Sequence, residues 1–119
     1  MKLHRALAEA IDMEFDEAHR KLMAGDVLHS FAHLERAHVL GQKHTKVHVR
    51  AHWAMLQYAR RYGSVRDVSG QIGRLLGAAL FTWAWVPEGN TGGTNIGAFE
   101  RLPIPPDLRR LISPSSSQE

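Results

Sequence analysis

"LERAHVLGQKHTKVHVRAH", residues 34–52, contains the end of one helix, a stop and the start of another. Val27, Phe31 and Leu34 repeat at helical spacing, and Gly41 breaks the pattern. The spacing resumes from about Lys43 and runs to Tyr62. Two helices joined by so short a link must fold back as an antiparallel hairpin. The same stretch holds four of the chain's eight histidines and a single carboxylate, Glu35. All eight histidines precede residue 53.

Working outward, Leu3, Leu7, Ile11, Phe15, Ala18 and Leu22 form one apolar stripe over residues 3–24. "AGDV" (24–27) then supplies a glycine stop and an aspartate N-cap for the helix from Val27 to Leu40. Gly63-Ser64 stops the third helix and caps a fourth, which carries Val68, Ile72, Leu75, Ala79 and Leu80 on one side. The expected fold is all-α, a four-helix bundle of two hairpins. A Gly/Pro-rich extended segment follows: "PEGNTGGTN" (87–95) is loop chemistry, and "LPIPPDLRRLI" (102–112) reads as extended chain and then a short helix. Residues 1–112 are expected to form a single helical domain, with a disordered tail at 113–119.

The absence of cysteine excludes disulfides and thiolate metal sites. The net charge of +3 comes from scattered rather than clustered Lys and Arg, so a nucleic-acid partner is not expected. The longest apolar run, Leu75 to Val86, is too short to span a bilayer. Glu9, Asp12 and Glu14 are unlike the apolar core of a secretory signal, so a cytoplasmic location is expected.

On the helical wheel Glu35 and His38 fall among Leu28, Phe31 and Leu34, inside the apolar arc. His44, His48 and His52 share a face with Ala51, Met55 and Ala59. Polar groups therefore stand where the core should be, which is costly unless they are paired or ligated. Reversal near Lys43 puts residues equidistant from it at one height, so His38 faces His48 and Glu35 faces Ala51 and His52. A Glu-x-x-His pair meets a His-x-x-x-His pair, both spacings that share one helical face. Glu35, His38, His48 and His52 are thus candidate ligands of N₃O type for a divalent transition metal: zinc, nickel, copper or iron. His44 is a reserve. Glu14 is another, because reversal near Gly25 brings it level with Arg36. The rival reading is a metal-free network in which Glu35 pairs with a protonated histidine. His29 and His33 are expected to face solvent, and His4 and His19 to add surface polarity. A di-iron carboxylate site would need further glutamates that the third and fourth helices lack. A mononuclear iron site of two histidines and one carboxylate stays open.

"GNTGGTN" (89–95) lacks the Gly-Lys-Ser/Thr of a P-loop and the preceding strand of a dinucleotide fingerprint. It is expected to cover the end of the bundle. Phe81, Trp83 and Trp85 read as core or interface aromatics, which leaves a homodimer contact open.

The strings "GDVLHSFAHLERAHVLGQ", "HTKVHVRAHWAML", "PEGNTGGTN" and "PIPPDL" resemble a small bacterial family of unknown function. Its genes are associated with neighbourhoods of heavy-metal efflux and metal-responsive regulators, so the resemblance implies metal homeostasis. The "GD…A…LERA" pattern also resembles a tetratricopeptide-like helical hairpin, which implies a protein-interaction module. The leading expectation is a metal-binding protein that buffers, senses or carries its ion, rather than an enzyme. The interaction module and a mononuclear non-haem iron oxygenase are the alternatives.

Overall fold

A computed structural model describes residues 3–81, 92 and 101–113. It contains α1 (Arg5–Met23), α2 (Val27–Gly41), α3 (Thr45–Tyr62), α4 (Val65–Phe81) and α5 (Pro106–Ile112), and no strand among the described residues. Helices α1 and α2 pack together, as do α3 and α4, while α2 joins the two hairpins by packing on α3. The short α5 closes the bundle against α1 and α2. Most of the 89–95 loop, Trp83 and Trp85, the Phe81 side chain and the tail beyond Ser113 lie outside the described residues. None of the helices is long and apolar enough to cross a membrane.

The turns use the expected residues. Gly25 has φ +80°, and the Asp26 and Gly25 amides donate to the carbonyls of Lys21 (2.8 Å) and Leu22 (3.0 Å). That crossed pair satisfies the last carbonyls of α1 and needs a left-handed residue at its centre. Asp26 then caps α2 by accepting from the His29 amide at 3.2 Å. Ser64 and Asp67 cap α4 reciprocally, each side chain accepting from the other's amide at 3.2 and 3.0 Å. At α5, Pro106 occupies the first helical turn, where its missing N–H costs nothing.

Leu7, Ile11, Phe15 and Ala18 of α1 meet Leu34, Ala37 and Leu40 of α2, Ala51 and Met55 of α3, and Ile104 and Leu108 from the C-terminal segment. The α1 stripe is as expected, but two other faces are not. Leu28 is 77% exposed rather than part of the α2 apolar arc. On α4, Ile72 and Ala79 point outward, while Gln71 and Ala78 are buried and Val68 and Leu75 half-buried. The inward stripe is therefore offset by about one residue from the most apolar one.

Two histidines expected to be idle on the surface are structural. The His4 Nδ1 accepts from the Leu7 amide at 3.2 Å, and its Nε2 donates to the Leu111 carbonyl at 2.9 Å, which pins α5 to the start of α1. His33 is half-buried and its Nδ1 meets Glu14 at 2.7 Å. Glu14 also accepts from Arg36 at 2.9 Å, and Arg36 reaches Asp107 at 2.6 Å. This chain of charges links α1, α2 and α5. By contrast His29 is exposed and paired with its own N-cap, Asp26, and His19 is exposed.

The α2–α3 hairpin depends on Gly41. A Cβ there would lie 1.9 Å from Val47 Cγ1 and 2.6 Å from Val47 Cβ. Val47 is β-branched and cannot swing away cheaply. Gly41→Ala is expected to destabilise the fold by about 1–3 kcal/mol through overpacking. Adding Val47→Ala should recover most of that loss, a coupling readable by urea denaturation of the two single variants and the double variant.

Candidate metal centre

The hairpin places His38 of α2 between His48 and His52 of α3. Ring centroids are 4.7 Å apart for His38–His48, 4.6 Å for His38–His52 and 4.9 Å for His48–His52. The ring nitrogens converge more closely. His52 Nε2 stands 3.0 Å from His38 Nε2 and 3.1 Å from His48 Nε2. All three side chains are buried, His38 and His52 each only 2% exposed. Each offers one ligand atom within 4.8 Å of the others, and they form the metal-capable cluster found among the described residues.

The other expected ligands are placed elsewhere. Glu14 is engaged by His33 and Arg36. Glu35 is half-buried and stands outside the cluster. The phenol of Tyr58 is raised above its ordinary pKa by burial, then by Tyr62 and by the charge of Glu35. His44 is buried at the N-cap of α3, where it lines a small recess with Leu7, Val39, Leu40 and Ile104. His38, His48 and His52 are thus brought together, and Glu35, His44 and Glu14 are not.

Three residues that were not among the expected ligands complete the site. His52 Nδ1 is 2.8 Å from Gln71 Oε1 on α4, and Gln71 Nε2 donates to the Gly92 carbonyl at 2.8 Å. Arg74 donates to the same carbonyl at 2.8 Å. Gly92 has φ +81° and lies against His38, so that a Cβ would stand 2.7 Å from His38 Cδ2. One signal for Gln71 was present: it interrupts the Val68, Leu75, Ala78 spacing with a polar group at an inward position. The place of Gly92 could not be read, because no local pattern sets which residue of that stretch meets α4.

Burial sets the charge state. It pushes His48 down to about 3, helped by the neighbouring His52. Burial likewise takes His52 down to about 4; the Gln71 hydrogen bond opposes this and Arg74 adds to it. These imidazoles are neutral at pH 7, the ligating form. A protonated histidine paired with Glu35 would instead show a raised value; burial shifts these two the other way.

With that geometry in place, comparison of the sequence with protein-family models matches residues 5–112 to DUF3703, described as a protein of unknown function. The chain belongs to that family. No curated protein and no solved structure matches it.

The neutral cluster has a consequence for acid stability. Unfolded histidines bind protons near pH 6.5, whereas folded His48 and His52 refuse them until about 3 and about 4. Between those limits the unfolded chain holds more protons, so acid favours unfolding. In the presence of chelator, stability should be steady above about pH 6.5 and fall as pH drops toward 4. Thermal melts across that range check this, and stability that instead rises toward low pH would restore the protonated pair.

Proposed function

We propose that this DUF3703 member binds one divalent transition metal ion through the Nε2 atoms of His38, His48 and His52. Its role on this reading is metal homeostasis, as a buffer, sensor or carrier. The observation that carries the reading is the convergence of three buried imidazole nitrogens with spacings of 3.0 and 3.1 Å. Metal–nitrogen bonds of about 2.0–2.1 Å place adjacent ligands about 2.9 Å apart at right angles and about 3.3 Å apart in a tetrahedron. The spacings of His52 to His38 and to His48 fall between the two, so His52 can share an ion with either neighbour after a small shift. Imidazole donors suit zinc, copper, nickel and iron. A ligand role for Glu35 requires its side chain to move toward the cluster. An all-imidazole set also departs from the two-histidine, one-carboxylate arrangement of mononuclear iron oxygenases, which favours binding over oxygen chemistry.

Metal analysis and zinc titration of the protein purified without a histidine tag test the proposal. About one ion per chain is expected. His48→Ala or His52→Ala should abolish tight binding, whereas the paired substitution of His29 and His33 should leave it intact. At zinc about 100-fold above its dissociation constant the gain is about 2.7 kcal/mol, or roughly 10 °C in Tm for a chain of this size. Wild-type protein that binds no metal and melts identically with chelator would overturn the reading.

One observation favours the interaction module as a second reading. An open groove of about 450 Å³ runs between α1, α2 and α3, walled by Phe15, Leu22, Leu34, Tyr58 and Tyr62 with Arg61 beside them. If chelation leaves Tm unchanged and a protein partner is displaced by Tyr58→Ala, that reading takes precedence.

A further inference from the structure

We infer that Gln71 is the positioning residue of the histidine cluster: anchored by the Gly92 carbonyl, it fixes His52 as the Nδ1–H tautomer and turns the Nε2 lone pair toward His38 and His48. The step to a metal rests on the proposed function; the tautomer does not.

The argument runs through one amide. A side-chain amide can be turned end for end, and its neighbours decide which end is which. The Gly92 carbonyl can only accept, and it lies 2.8 Å from one end of Gln71. That end is therefore the NH₂ group, since the reverse orientation would set two oxygens against each other. The other end is then the carbonyl oxygen, 2.8 Å from His52 Nδ1. An amide oxygen also only accepts, so Nδ1 carries the proton. A neutral imidazole has one proton, and Nε2 is left bare where His38 and His48 converge on it at 3.0 and 3.1 Å. In histidine ligands generally, the hydrogen bond made by one ring nitrogen fixes the role of the other.

Gly92 makes the arrangement rigid. Its carbonyl takes a second hydrogen bond from Arg74 at 2.8 Å, so it is held from two sides by α4. Its α-carbon packs against the His38 ring, where a Cβ would sit 2.7 Å from Cδ2 and 2.9 Å from Nε2. One loop glycine thereby orients two of the three histidines, His38 by contact and His52 through Gln71. Gln71 is 2% exposed with both ends of its amide bonded, so the chain His52–Gln71–Gly92 is shielded from water exchange.

The test is long-range ¹H–¹⁵N NMR of the full chain at pH 7 in chelator, followed by zinc titration. Wild type should show His52 protonated at Nδ1 and bare at Nε2. Gln71→Leu removes the acceptor, and the His52 proton should move to Nε2 or exchange between the two nitrogens. Gln71→Glu keeps an acceptor oxygen for Nδ1 but no longer donates to the Gly92 carbonyl, so it should keep the wild-type tautomer while loosening the anchor. Zinc should bind Gln71→Leu about 10- to 100-fold more weakly, with Gln71→Glu between that variant and wild type. A wild-type His52 protonated at Nε2 overturns the inference, even if Gln71→Leu folds incompletely by circular dichroism. So does a folded Gln71→Leu with unchanged tautomer and unchanged zinc affinity. The expected tautomers with no zinc bound by wild type would uphold the positioning role of Gln71 and overturn the metal reading alone.

Discussion

The structure turns on three neutral imidazoles held in the contact between α2 and α3. Each takes a place that a leucine would fill in an ordinary helical hairpin, and each brings polar atoms that burial penalises. Burial keeps His48 and His52 uncharged, with values near 3 and 4. What remains is a set of lone pairs and N–H groups that must satisfy one another at close range. His52 resolves part of this by giving its Nδ1 proton to Gln71. Its single Nε2 lone pair then faces two ring nitrogens at once. The cluster could hold a metal ion.

Much of the remaining architecture secures that contact. Gly41 lets α2 approach Val47 closely enough for His38 to reach α3. The hydrogen bonds of His4 to Leu111 and of Arg36 to Asp107 hold α5 across α1 and α2. Through these α5 inserts Leu108, 1% exposed, beneath the same α2 that carries His38. On the far side α4 contributes a polar residue, Gln71, at the inward position that faces His52. The exposed Ile72 and Leu76 on its outer face are the counterpart of that choice: turning Gln71 in turns part of the helix's apolar surface out.

The histidine inventory divides by what each side chain touches. His38, His48 and His52 touch each other. His4 and His33 bond a carbonyl and a carboxylate and tie helices together. His29 bonds the aspartate that caps its own helix. Position on the apolar arc separates the first three from His29; spacing alone does not, because histidines four apart also occur on solvent faces. It could not reveal the tertiary partners of His4 and His33.

The sequence by itself determined the helices, their stops and their pairing, because these follow from apolar spacing and from glycine and cap residues acting within a few positions. It also set His38 level with His48 and put His52 on the same face of α3, since a hairpin with a short turn fixes which residues share a height. Tertiary structure alone decided the fate of the carboxylates. Glu14 was read correctly as level with Arg36, yet it is drawn to that cation and to His33 rather than to the cluster. Helical phase likewise could not tell that Gln71, not Ile72, turns inward, because the two positions differ by a single residue step. The choice falls to the helix rotation that satisfies His52 and Gly92, and a buried polar group without a partner costs more than an apolar one left in water.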